Sequence, residues 1–168
     1  MSRQEAGHIA FQPQSTLRNL RMEGYPQGYN KAMSVMKVTY DSFESVTSLP
    51  GIVFLDFWAS WCPPCRQFSP VFEKAADKHP DIVFGTIDTQ KEQRLAGELA
   101  VFSIPTVMAF RDGILVFSQA GAMSASSFEK VIETAQSLDM DKVRAEVEEE
   151  EAAEAEQELI EAERTDAH

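Results

Sequence analysis

Residues 51–59, GIVFLDFWA, are apolar throughout except for one carboxylate, and three residues later the chain reads Cys62-Pro63-Pro64-Cys65. The run is rich in β-branched and aromatic residues and lacks the alternation of a half-solvated strand, so it reads as a strand covered on both faces. Such a strand implies layers of helix on either side of a sheet. After the cysteines, RQFSPVFEKAADKHP spaces Phe68, Val71, Phe72, Ala75 and Ala76 as one face of a helix that begins near Pro63 and stops at His79-Pro80.

The rest of the body repeats that grammar. MKVTY reads as a short strand, and DSFESVTS as a short helix with Asp41 as its N-cap. DIVFGTID is a second buried strand and KEQRLAGELAVF a further helix. PTVMAFRDGILVFSQAG is a hairpin turning at Asp112-Gly113, and SASSFEKVIETAQSL closes with an amphipathic helix. The order β-α-β-α-β-α-β-β-α gives an α/β fold with a central mixed sheet flanked by helices.

Composition changes at both ends of this body. Residues 1–34 hold Gln, Gly, Pro and Asn without period and read as a disordered arm. Met1, Met33 and Met36 are alternative starts, and Arg3, Arg18 and Arg21 faintly resemble a transit peptide. Residues 35–138 form the folded domain. Residues 139–168 carry 13 Asp or Glu against 3 Lys or Arg, a net charge of −10 within a chain total of −12. This Ala- and Glu-rich stretch has high helix propensity but too few apolar positions for a core face, so it reads as a solvated, partly helical tail. It serves either solubility alone or docking to a basic partner.

The acidic balance argues against strong attraction to nucleic acid or an anionic membrane. No apolar run approaches the roughly 20 residues that cross a bilayer. The first residues lack a basic segment followed by an apolar core, so the expected address is cytoplasmic.

Two cysteines three positions apart could be a metal clip, an inert pair or a redox couple. Zinc asks for four ligands, and His8, His79 and His168 are scattered, so no metal and no cofactor is expected. Inert packing suits a helix interior better than the junction of a buried strand with a helix N-terminus. There, unpaired N–H groups and the helix dipole stabilise a thiolate, and the prolines cost nothing in a first turn. Strand, C-x-x-C and helix in succession read as redox. Asp56, inside the apolar run, has to be paired, near an edge, or functional.

Residues 36–138 resemble a thioredoxin, most closely the bacterial and actinobacterial members of that family. The resemblance rests on DFWASWCPPC, with Asp56 six residues before Cys62, and on SIPT, which resembles the cis-proline loop and makes Ile104-Pro105 the expected cis bond. Pro70, Gly113 and Gly121 in QAGA also fall where the family has them. The resemblance implies protein-disulfide reduction by a redox-active Cys62-Cys65 disulfide, a thioredoxin reductase as electron donor, disulfide-bearing proteins as substrates, and a part in cell redox homeostasis. Cys62 is then the nucleophile, Cys65 the resolving thiol and Asp56 the proton acceptor, with Trp61, Pro63, Ile104, Pro105 and Gly121 beside the substrate. Trp58 reads as core, while Trp61 is divided between packing and substrate contact. Two departures stand out: the family usually has glycine where Pro63 stands, and Phe84 occupies a position where many bacterial members carry a lysine opposite the buried aspartate. The alternatives are a binding or co-chaperone module with secondary redox activity, and a disulfide oxidase or isomerase.

Overall fold

A computed structural model describes residues 34–166. The arm expected over residues 1–34 thus lies outside the described residues, apart from Ser34.

Five strands and five helices follow in order: β1 (Met36–Lys37), α1 (Tyr40–Thr47), β2 (Ile52–Trp58), α2 (Pro63–Lys78), β3 (Val83–Asp88), α3 (Gln93–Glu98), β4 (Thr106–Arg111), β5 (Ile114–Ala120), α4 (Ala125–Ser137) and α5 (Met140–Asp166). The strands lie side by side as β1-β3-β2-β4-β5. β2 pairs parallel with β3 and antiparallel with β4, and the β4–β5 pair is an antiparallel hairpin, so the sheet is mixed. β2, which lies at its centre, is buried from Ile52 to Phe57, as a strand covered on both faces must be.

The two faces sort by residue parity. Ile52 and Phe54 pack with Phe68 and Phe72 of α2 and Phe128 and Ile132 of α4. Val53, Leu55 and Phe57 pack on the other face with Val46 of α1 and Leu95 of α3. Each fully buried side chain of this kind stabilises by roughly 2 kcal/mol before its ordering entropy is counted. The α2/α4 face is built on phenylalanine: Phe84 stacks on Phe54 at 5.7 Å, and Phe128 meets Phe54 edge-on at 5.3 Å.

Several boundaries differ from those expected. The N-cap of α1 is Thr39 rather than Asp41: Thr39 and Ser42 exchange a capping box, and Asp41 sits inside the first turn, where its charge favours the dipole. β1 is two residues long because Tyr40 already belongs to α1. α3 is confined to Gln93–Glu98, and just beyond it Ala100 takes a left-handed φ of 54° while the Val101 amide donates back to the Ala96 carbonyl. The tail is a continuous 27-residue helix, α5, rather than partly helical. Its start is docked: Met140 is buried, and Arg144 pairs with Asp112 in the hairpin turn at 3.4 Å.

Candidate functional site

The cysteine pair sits where β2 hands over to α2. Cys62 is the N-cap of α2, in extended conformation, with Pro63 and Pro64 supplying the first two helical positions and Cys65 the third. Pro63 and Pro64 have no N–H to offer, so the first amide available to the Cys62 sulfur is that of Cys65, which donates to it at 3.2 Å. The two cysteines are joined as a disulfide with their Cα atoms 5.3 Å apart.

The wall beside the sulfurs comes from the loop between α3 and β4. Ile104-Pro105 is cis, and the Ile104 carbonyl oxygen lies 3.7 Å from the Cys62 sulfur, within reach of a thiol proton when the pair is reduced. The Gly121 amide donates to the Pro105 carbonyl at 2.7 Å with Gly121 at φ +100°, a conformation that favours glycine. Ala59, Trp58 and Ile104 pack around the pair. Trp58 is half-buried, whereas Trp61 stands 63% exposed at the rim.

Asp56 occupies the α2/α4 face of β2, the same face as Phe54, and its ladder neighbours are Thr86 and Val107. It is buried, and its Oδ1 has no hydrogen-bond partner. Burial alone pushes its pKa up to about 7. Phe84 belongs to the phenylalanine cluster, so no cation offsets that burial from this position.

The structure therefore brings Cys62, Cys65, Trp61, Pro63, Ile104, Pro105 and Gly121 to one end of the sheet, with Asp56 beneath in the strand that leads to them. One residue there escaped sequence reading: Phe102, two positions before Ile104, is 90% exposed. In the sequence it reads as the last residue of the helix expected over KEQRLAGELAVF, with nothing to mark it as exposed. Among the described residues no group of three or more His, Cys, Asp or Glu could hold a metal ion, and no helix is long and apolar enough to cross a membrane.

A disulfide at a helix N-terminus, walled by a cis-proline and set above a buried carboxylate, defines a dithiol–disulfide oxidoreductase. The family model described as Thioredoxin matches residues 34–134. A putative thioredoxin 2 of Streptomyces coelicolor is 44% identical over 119 residues, 71% of this chain and 89% of that one. A Bacillus subtilis thioredoxin is 35% identical over 101 residues, covering 60% of this chain and 96% of its own length. Among solved structures, thioredoxin f from spinach chloroplast superposes with a TM-score of 0.57 at 29% identity, covering 61% of this chain and 94% of that chain. The chain belongs to the thioredoxin family, and its activity is protein dithiol–disulfide exchange.

Proposed function

We propose that Cys62 is the attacking thiol, Cys65 the resolving thiol and Asp56 the proton acceptor, in a reductant of protein disulfides. The observation that carries this assignment is the placement of Cys62 at the N-cap of α2, with the Cys65 amide directed at its sulfur. As whole residues the two cysteines are equally buried, at 2% and 3% exposure, so burial does not distinguish them. Position does: the N-cap sulfur meets the positive end of the helix, which favours thiolate.

In the first step the Cys62 thiolate attacks one sulfur of a substrate disulfide. A Cys62–substrate bond forms, the substrate S–S bond breaks, and the departing sulfur takes up a proton. Cys65 then gives its proton toward Asp56 and attacks the Cys62 sulfur. That closes the Cys62–Cys65 disulfide, frees the second substrate thiolate and completes a two-electron transfer. Trp61, Pro63, Ile104, Pro105 and Gly121 form the surface that receives the substrate chain. Family members as a class work with disulfide-bearing substrates and with reductases; for this chain the donor is a thioredoxin reductase. A cytoplasmic setting suits a reductant, whose dithiol must be kept reduced between turnovers.

The test uses the full chain, reduced and freed of reductant, with insulin as substrate. The parent cleaves the insulin disulfides, and Cys62→Ser abolishes the reaction; activity retained in that variant would reassign the nucleophile.

A further inference from the structure

Phe102 is presented rather than stranded. On its N-terminal side the Val101 amide is held by the Ala96 carbonyl at 2.9 Å, and on its C-terminal side the Thr106 hydroxyl donates to the Ser103 carbonyl at 2.6 Å. Val101 and Ile104 both pack into the α1/α3-side core, so the loop is pinned on either side of a phenyl ring that is 90% exposed. A ring left in water on a pinned loop forgoes the stabilisation that burial provides, and it recovers that stabilisation when another surface covers it.

Its position says which surface. The Ile104 carbonyl, two residues on, lies 3.7 Å from the Cys62 sulfur, and Trp61, adjacent to Cys62, is the other exposed ring among the Trp and Phe side chains of the described residues. The residues that wall the disulfide on this side, 57–65, 101–106 and 119–123, contain no charged residue; the charges that border them are Arg66, after Cys65, and those of the 88–92 loop, on the Ser60 side. On the cis-proline side a charged substrate group would lose water against uncharged side chains, whereas an apolar one would cover the phenyl ring.

We infer that Phe102 is a specificity-determining residue, selecting substrates whose disulfide is flanked by apolar residues in extended chain. This inference rests on the exchange function proposed above and adds the class of substrate. The ring lies beside the path of the substrate backbone, where it covers an apolar side chain next to the attacked cysteine.

The test compares two peptides with the same intramolecular disulfide, one flanked by Leu and Val and the other by Ser and Gln, so that long-range charge does not enter. The reduced full chain shows a kcat/KM higher by about tenfold for the apolar peptide, the weight of one well-covered side chain. Phe102→Ser brings that ratio close to unity, Phe102→Leu preserves most of it, and the equilibrium of each variant with glutathione is that of the parent. A parent that reduces both peptides equally well overturns the inference alone. A parent that reduces neither overturns the exchange function as well. A Phe102→Ser variant that keeps the peptide preference but is reduced more slowly by its reductase also overturns it, assigning the ring to the donor's docking face.

Discussion

Asp56 faces Val107 across the β2–β4 ladder, so the carboxyl looks onto an aliphatic side chain that neither donates nor accepts a proton. Phe54 precedes it on the same face of β2, and its Oδ1 is buried without a partner. The carboxyl is therefore held where its charged form is least stable, which lifts its pKa from 3.8 to about 7.

The sign of the stability effect follows from linkage. The folded, oxidised chain holds the Asp56 proton up to about pH 7, whereas the unfolded chain gives it up near 3.8. This group's contribution is thus fully present below pH 3.8 and is lost as pH rises to about 7. Replacing Asp56 by Asn removes that loss. Urea unfolding of parent and Asp56→Asn shows the variant's advantage growing by about 3 kcal/mol between about pH 5 and pH 8. A constant difference across that range means the carboxyl titrates as an ordinary one.

The same substitution separates the two chemical steps. In the proposed roles only resolution by Cys65 uses Asp56, so in Asp56→Asn the mixed disulfide is expected to accumulate and its decay to slow by about a hundredfold, within the usual range for a lost general base. In the parent, decay accelerates as pH rises through about 7, where Asp56 becomes free to accept a proton. Stopped-flow fluorescence of Trp61 and Trp58 follows both phases. Equal decay in the two proteins removes Asp56 from the mechanism.

Arg111 holds the end of α4. One of its guanidinium nitrogens, Nη1, donates to the carbonyls of Ala135 at 2.7 Å, Gln136 at 3.1 Å and Leu138 at 2.8 Å, groups that a helix C-terminus leaves unpaired. Arg111→Ala costs about 2 kcal/mol of stability by chemical denaturation, and Arg111→Lys less, because an ammonium keeps the charge and also donates from a single nitrogen. A loss below about 0.5 kcal/mol shows that water replaces the guanidinium at little cost.

How far the sequence disclosed this architecture depended on how local each signal was. The strand at β2, the cysteine pair and the helix after it were legible because burial on both faces and a 3.6 period leave unambiguous patterns within a dozen residues. Pro105 and Gly121 were legible through the resemblance of SIPT and QAGA. The cap of α1 was misplaced by two residues because Thr39 and Asp41 are both good caps, and only the reciprocal bonds with Ser42 decide between them. The end of α3 depends on the left-handed turn at Ala100, which no glycine announces. Phe102 was missed because exposure is a property of the folded loop, and the same phenylalanine in the same letters could equally have been core.

Helix α5 carries its charge in water, with Glu148 to Glu151 in succession and few basic partners. Like-charge repulsion along a helix is screened by salt, so the helical signal of the full chain at 222 nm increases as salt is added. A chain of residues 34–138 lacks that increase and retains disulfide exchange. Loss of cooperative melting in that shorter chain shows that the contacts of Met140 and Arg144 are required for the fold.

The assignment of Cys62 as the attacking sulfur is tested most directly by trapping the intermediate. Cys65→Ser, incubated with a disulfide-bearing substrate, accumulates a stable adduct that reductant releases and that peptide mapping locates at Cys62, whereas Cys62→Ser accumulates none. An adduct on Cys65 in the Cys62→Ser protein, formed as fast as that on Cys62, contradicts the account, because the N-cap position of Cys62 would then confer no advantage.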